Sequence, residues 1–183
     1  MKLHTTEHTY SHPWSAVTTA VWQKYPNERT PHVVTVDVLR RDVDQERKVL
    51  RTERLITLRQ NIPAFIARFF GAPQPVCHFL EVSEIDLTTQ TYTAISTNLT
   101  FRDLMVMDET VRYTADPSAP QLRTRFVQDA AVSASMSRFG SYLEDALIKR
   151  FKDNAHVGRQ ALADVIDRIV LEGKVGLQHL HIV

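Results

Sequence analysis

The chain has 183 residues, 43% of them hydrophobic, which is enough for one domain with a sizeable core. Its 22 basic and 21 acidic side chains leave a formal net charge of +1, which argues against a general nucleic-acid binder with a concentrated basic face. Five glycines, with no G-x-x-x-x-G-K-[ST] or G-x-G-x-x-G, argue against a phosphate loop, and a single cysteine, Cys77, excludes an internal disulfide or a multi-cysteine zinc site.

Met1 to Tyr10 alternates like a strand rather than a transit peptide, and Leu3 to Thr9 is expected to lie at a sheet edge. Ser11-His12-Pro13-Trp14 opens a helix with Pro13 at its first position, running to about Tyr25. Trp14, Val17, Ala20, Val21 and Lys24 recur at three- and four-residue steps, and Pro26-Asn27 ends the pattern. His32 to Arg41 is β-branched and largely apolar on both faces, which predicts a central strand. After a polar turn at Asp42 to Glu46, Lys48 to Gln60 alternates as a strand. Its Leu50, Thr52, Arg54, Ile56 and Leu58 share a face, so Arg54 points the same way as three aliphatics.

Asn61 to Pro75 follows, with Pro63, Gly71 and Pro73 bracketing Phe65, Ile66, Phe69 and Phe70, and Arg68 as its one charge. Two readings stay open: a short core helix plugging the end of the sheet, or an apolar lid that dips into a membrane interface. The segment is too short to cross a bilayer, and no apolar run in the chain approaches roughly 18 residues, so no spanning helix is expected. No secretory signal is visible, and the lone thiol suggests a reducing compartment, although it is also compatible with an oxidising one. Val76 to Asp86, Thr91 to Leu99, Leu104 to Thr114 and Gln121 to Ala134 read as four more strands with short turns between them.

From Ser141 to Leu171 the period changes to 3.6. Leu143, Leu147, Phe151, Ala155, Gly158, Ala161, Leu162, Val165, Ile166 and Ile169 fall in one arc, with charged residues opposite. Ser141 and Glu144 stand at capping-box spacing, and Gly173 is a stop signal. The tail, Glu172 to Val183, has no clear pattern. Seven strands in an antiparallel meander, a short helix after the first and a long helix near the end make an α+β chain in which the helix lies on the sheet.

Lys24, His32, Arg54, Arg150 and Asn154 each lie on or beside an apolar face of their element. Any one could be satisfied structurally, with Asp37, Glu53, Glu81 or Glu144 as counterions. Together they suggest a cavity that takes an anionic guest, with cations for a phosphodiester and an amide for a further hydrogen bond. The paired histidines His4 with His8, and His179 with His181, read as solvated surface, and no convergent third ligand suggests a metal site. Ser133, Ser135, Ser137 and Ser141 look like a strand-to-helix junction, Cys77 like inert core, and no nucleophile–base pair stands out.

Several stretches resemble the PRELI/MSF1 domain family: Lys24-Tyr25-Pro26-Asn27, His32-Val33, Val36 to Arg41, Thr52 to Thr57, Thr97 to Thr100, Glu109-Thr110-Val111-x-Tyr113, Leu143-Glu144-Asp145, and Arg150-Phe151-x-x-Asn154-Ala155. The match runs in order from Met1 to about Val170. Met1-Lys2 and His12-Pro13-Trp14, with the VDVLRR and TERLIT stretches, are most similar to its Slowmo-like, fungal-type branch. The resemblance implies a lipid-transfer domain over residues 1–171, followed by a tail over residues 172–183. In it, a seven-stranded curved sheet wraps the long C-terminal helix in a helix-grip, START-like manner. It implies a carrier of one anionic phospholipid, phosphatidylserine in this branch and phosphatidic acid in the sister branch, across the mitochondrial intermembrane space. An enzyme using the same cavity is the competing class, and it would need a positioned acid–base pair. The resemblance further implies a heterodimer with a small twin Cys-x9-Cys helical hairpin, transient membrane contact and no cofactor. Lys24, His32, Arg54, Arg150 and Asn154 would line the lipid site, and Ile62, Phe65, Ile66, Phe69 and Phe70 would form the lid.

Overall fold

The computed structural model describes residues 1–59, 75–135 and 140–180, with side chains through residue 173. Strand β1 (Lys2–Tyr10) leads into helix α1 (Trp14–Trp22). Strands β2 (Val33–Asp44), β3 (Val49–Arg59), β4 (Val76–Asp86), β5 (Thr91–Asn98), β6 (Met105–Ala115) and β7 (Thr124–Ala134) follow, then helix α2 (Gly140–Leu180). All seven strands pair antiparallel in one curved sheet, in the order β1-β7-β6-β5-β4-β3-β2. The meander from β2 to β7 follows from turns of a few residues, and β1 closes the far side by pairing with β7 from Lys2↔Val132 to Tyr10↔Thr124.

The crossover from β1 through α1 to β2 carries the chain from one edge of the sheet to the other. That corrects the expectation of a central β2: it is an edge strand, exposed over most of its length, with Val34, Val38, Leu39 and Val43 open on its surface. β-branched composition suits any pleated strand and does not by itself imply burial on both faces. Two register shifts, at Val33/Thr35 and Val38/Arg40, and the charges of Arg40, Arg41, Asp42 and Asp44 make β2 a poor template for another strand.

Helix α1 stops at Trp22, three residues short of the expected end, and Pro13 stands at its N-cap, one position earlier than expected. Trp14, Val17, Ala20 and Val21 are buried as their spacing requires, and the Trp14 indole donates to the Tyr113 carbonyl (3.2 Å). The start of α2 differs too. Ser141 lies inside the helix, and the buried Glu144 makes no capping box. Its carboxylate instead accepts from the Ala134 amide (3.0 Å) and pairs with the Met1 ammonium (2.8 Å). At the other end the helix runs through Gly173 to Leu180. An interior glycine costs a helix about 1 kcal/mol but keeps its amide in the ladder, so Gly173 and Gly176 weaken this end without stopping it.

The core has two parts. Around α1 and the later turns of α2, Tyr10, Trp14, Val17, Tyr92, Tyr113 and Phe126 pack with Leu162, Val165 and Ile166. Nearer the start of α2, Leu143, Leu147 and Ile148 pack on Met105 and Val132. The stretch of α2 between them, from Arg150 to Arg159, has only Ala155 fully buried.

Candidate functional site

Antiparallel register lays the inward positions of the sheet in transverse rows. One row is Leu50, Ile85, Tyr92, Tyr113 and Phe126, which belongs to or packs against the first core. Four residues further along β3, a second row reads Arg54, Glu81, Ser96, Glu109, Ala130 and His4. Beyond it lie Ile56 and Phe79 on β3 and β4, and Met107 and Val132 on β6 and β7 beside the second core. A polar belt therefore crosses the sheet between two apolar bands, opposite the part of α2 that does not pack. There the sheet and helix enclose a cavity of about 750 Å³, with apolar side chains such as Ile56, Leu58, Phe79, Met107, Val111 and Phe151 on its wall.

All five residues singled out from the sequence, Lys24, His32, Arg54, Arg150 and Asn154, line this one cavity. Their roles within it differ. Arg54 is only 5% exposed, and its Nη2 and Nε donate to Glu81 Oε1 at 2.5 and 2.9 Å. Its guanidinium also lies 5.1 Å from the centre of the Trp22 ring, so it pins the end of α1 to β3 and β4. Burial pulls its pKa down, but the charge and hydrogen bond of Glu81, together with Tyr92 and Tyr25, hold it above the ordinary value. Arg54 thus already has its counterion, the one on the adjacent strand.

Lys24 and Arg150 form no ion pair among the described residues. The chain after α1 is tied to α2 by Arg29, which pairs with Asp164, and by Asn27, which donates to the Ala161 carbonyl (3.4 Å). This places the Lys24 ammonium over Gly158, where an added Cβ would sit 3.3 Å from Nζ, so the missing side chain gives the lysine its room. Arg150 is exposed at the cavity rim, Asn154 is half-buried on the helix, and His32 is half-buried before β2. Burial, then the charges of Arg150 and Lys24, lower the His32 pKa below 6.5, so the imidazole is held neutral. Ile62, Phe65, Ile66, Phe69 and Phe70 lie outside the described residues. The chain leaves β3 at Arg59 and re-enters β4 at Val76, beside the cavity residues Leu58, Pro75 and Cys77.

Sequence reasoning missed the acidic side of the cavity. Glu109 stands in the belt with its carboxyl raised above the ordinary range by burial, against the pull of a Gln128 hydrogen bond and the Lys24 charge. Gln128 Nε2 donates to Glu109 Oε1 at 2.5 Å, while Gln128 Oε1 is buried with no partner among the described residues. Tyr10 Oη and Arg159 Nη1 are likewise buried and unpartnered. The signal was available in the alternation of β6, where Met105, Met107, Glu109, Val111 and Tyr113 share a face that Glu109 interrupts as Arg54 interrupts β3. Among the described residues no cluster could hold a metal ion, and no helix is long and apolar enough to cross a membrane.

The PRELI-like family model matches residues 15–172. The chain belongs to the PRELI-like family. It is 39% identical to Protein UPS2, mitochondrial, of Saccharomyces cerevisiae over 91% of this chain and 73% of that protein. It is 37% identical to a UPS-like protein of Schizosaccharomyces pombe over 92% and 91% of the two chains, and 30% identical to the Protein slowmo homolog of Dictyostelium discoideum over 94% and 75%. Among solved structures, the Thermus thermophilus protein TTHA0849 superposes with a TM-score of 0.62 at 14% identity, covering 92% of this chain and 99% of that one. Ara h 8.0201 superposes at 0.51 and 10% identity, covering 90% and 98%. At these identities the likeness establishes the helix-grip fold alone.

Two outcomes follow from the site geometry. Arg54→Met leaves Glu81 without its partner and lowers unfolding free energy by about 3–5 kcal/mol, whereas Arg54→Met with Glu81→Leu recovers most of the loss in urea titrations. His4, His8 and His32 all have lowered pKa values. At these three imidazoles the unfolded chain binds more protons than the folded one below the unfolded value near 6.5, so they make stability fall as pH drops from about 7 to about 5.5, against the opposite pull of the raised Glu109 carboxyl. Thermal unfolding across that range should show the fall, and His32→Gln should flatten part of it.

Proposed function

We propose that this protein carries one phospholipid at a time between the outer and inner mitochondrial membranes, across the intermembrane space. The observation that carries the reading is the cavity itself, a hollow of about 750 Å³ with apolar walls crossed by one polar belt. Its volume lies in the upper part of the roughly 300–1,000 Å³ range of small-molecule sites. Membership of the PRELI-like family and similarity to a mitochondrial UPS2 and a slowmo homologue support the compartment and the cargo class.

The physical task is to shield acyl chains from water. Each buried methylene contributes about 0.8 kcal/mol, so a lipid with about thirty of them leaves a bilayer slowly unless another apolar environment receives it. In this reading the aliphatic and aromatic wall takes the chains. Lys24 and Arg150 meet the phosphate, Asn154 and the neutral His32 add hydrogen bonds, and Arg54 with Glu81 keeps the belt in place. Ile62, Phe65, Ile66, Phe69 and Phe70 make the membrane contact that opens and reseals the mouth. Phosphatidylserine is the preferred cargo, with phosphatidic acid the alternative. The working unit is a heterodimer with a small twin Cys-x9-Cys helical hairpin, and no bond is made or broken in the cycle.

Native mass spectrometry of the protein purified with the hairpin should show one copurifying phospholipid, and bare protein would overturn carriage. In vesicle-to-vesicle assays, Lys24→Ala should lower transfer of anionic phospholipid about tenfold more than transfer of phosphatidylcholine. Equal losses would remove Lys24 from headgroup binding. Replacing Phe69 and Phe70 together with Asp should abolish transfer while the circular dichroism spectrum is retained, and unchanged transfer would remove the membrane-contact role.

A further inference from the structure

The backbone of α2 does not itself require a glycine at position 158. Gly158 lies well inside the helix, in the stretch that spans the cavity, and the helix continues on either side of it. Its φ is not in the left-handed region, so the conformational freedom that sets glycine apart is not used there. Close packing does not require it either. Apart from chain neighbours and the helix's own backbone, a Cβ added at Gly158 would meet a single group within 4 Å among the described residues, the Lys24 ammonium, at 3.3 Å. An interior glycine weakens a helix relative to alanine, because it gives up the most backbone freedom on folding. In this helix the loss coincides with the one place where a methyl group would press on a charge.

The charge it clears a place for is one that a guest can use. Lys24 is half-buried and lines the cavity, and its ammonium makes no ion pair or hydrogen bond among the described residues. The Tyr25 ring, with its centre 5.2 Å from Nζ, and the gap at Gly158 are the two features that place it. Arg54 differs, since its guanidinium is taken up by Glu81. Arg159, the next residue on α2, is a further cavity cation, with its Nη1 buried away from any guest. An alanine at 158 forces Nζ to move by a few tenths of an ångström into the space a headgroup would fill, and a longer side chain takes the place outright. Hydrogen bonds between charged groups are short and directional, so small displacements of the ammonium are felt at the phosphate.

We propose that Gly158 is a specificity-determining position: by carrying no side chain it seats the Lys24 ammonium against α2, and this seat is what separates anionic from neutral headgroups. The inference rests on the reading of Lys24 as a phosphate ligand and adds the residue that positions it. Gly158 is a positioning residue, since it acts through Lys24. The chain therefore gives up helix stability at this position for headgroup discrimination.

The test is a double-mutant cycle in vesicle-to-vesicle transfer with the hairpin complex, comparing labelled phosphatidylserine with labelled phosphatidylcholine. Gly158→Ala should lower the ratio of the two rates about threefold and Gly158→Leu about tenfold, while in a Lys24→Met background neither should change the ratio further. Thermal unfolding supplies the second reading: Gly158→Ala should raise Tm by about 2–4 °C, as alanine does in a helix where it meets no packed neighbour. A lower Tm would show that packing requires the glycine and would overturn the inference. So would an unchanged ratio in Gly158→Ala and Gly158→Leu, or an equal loss with and without Lys24, and each of these leaves carriage standing. If Lys24→Met alone leaves the ratio unchanged, the phosphate role of Lys24 falls and that of Gly158 with it. A wild-type complex that moves neither lipid would overturn carriage itself.

Discussion

Everything in this structure depends on α2 being held to the sheet at two separate places. Leu143, Leu147 and Ile148 anchor its early turns on β6 and β7, and Leu162, Val165 and Ile166 anchor later turns against α1 and the aromatic row. Between the anchors the helix bridges the sheet without filling the space beneath it. A dry void of about 750 Å³ would cost on the order of 18 kcal/mol at about 24 cal/mol per Å³, more than the about 5–15 kcal/mol that holds a domain folded. The hollow therefore has to be wet or occupied. The polar belt serves that need, since water there finds the carboxylates of Glu81 and Glu109, the amide of Gln128 and the ammonium of Lys24.

The belt follows from antiparallel register. Each strand contributes one inward residue to a transverse row, so a charge on one strand meets whatever its neighbour places opposite. Arg54 meets Glu81, with Trp22 alongside, and becomes part of the frame. Lys24 comes from outside the sheet, just past the end of α1, and has no ion-pair partner among the described residues. This separates two cations that look alike in the sequence, since both interrupt an apolar pattern. The first is committed to holding the fold, and its loss leaves an unpaired buried acid. The second faces the cavity over the space that Gly158 leaves open.

How much could be read from the sequence follows the same physics. The α2 arc was legible because helical period and apolar spacing coincide over many turns, and the seven strands were legible from alternation broken by polar turns. The edge position of β2 was not, because pairing order depends on where the α1 crossover takes the chain, and VVTVDVL composes equally well for either place. The end of α2 was not legible at Gly173, because an interior glycine weakens a helix without ending it. The five cavity residues are legible as polar groups on apolar faces, and Glu109 and Gln128 meet the same criterion on β6 and β7. Glu81 is one of four candidate counterions in the sequence, which carries no register to choose among them.

A carrier differs from a receptor in what its site must achieve. Removing about thirty methylenes from water contributes roughly 24 kcal/mol whether they enter a bilayer or a protein cavity, so the two environments nearly cancel and the small residual sets the direction of exchange. A cavity lined by unopposed cations would add Coulomb attraction in a low-dielectric setting and hold an anionic headgroup against release. Here Glu81 pairs with Arg54, and the exposed acids Asp108, Asp145 and Asp153 line the cavity along with Lys149 and Arg150. Under the proposed function, such a wall can tell one headgroup from another and still let it go.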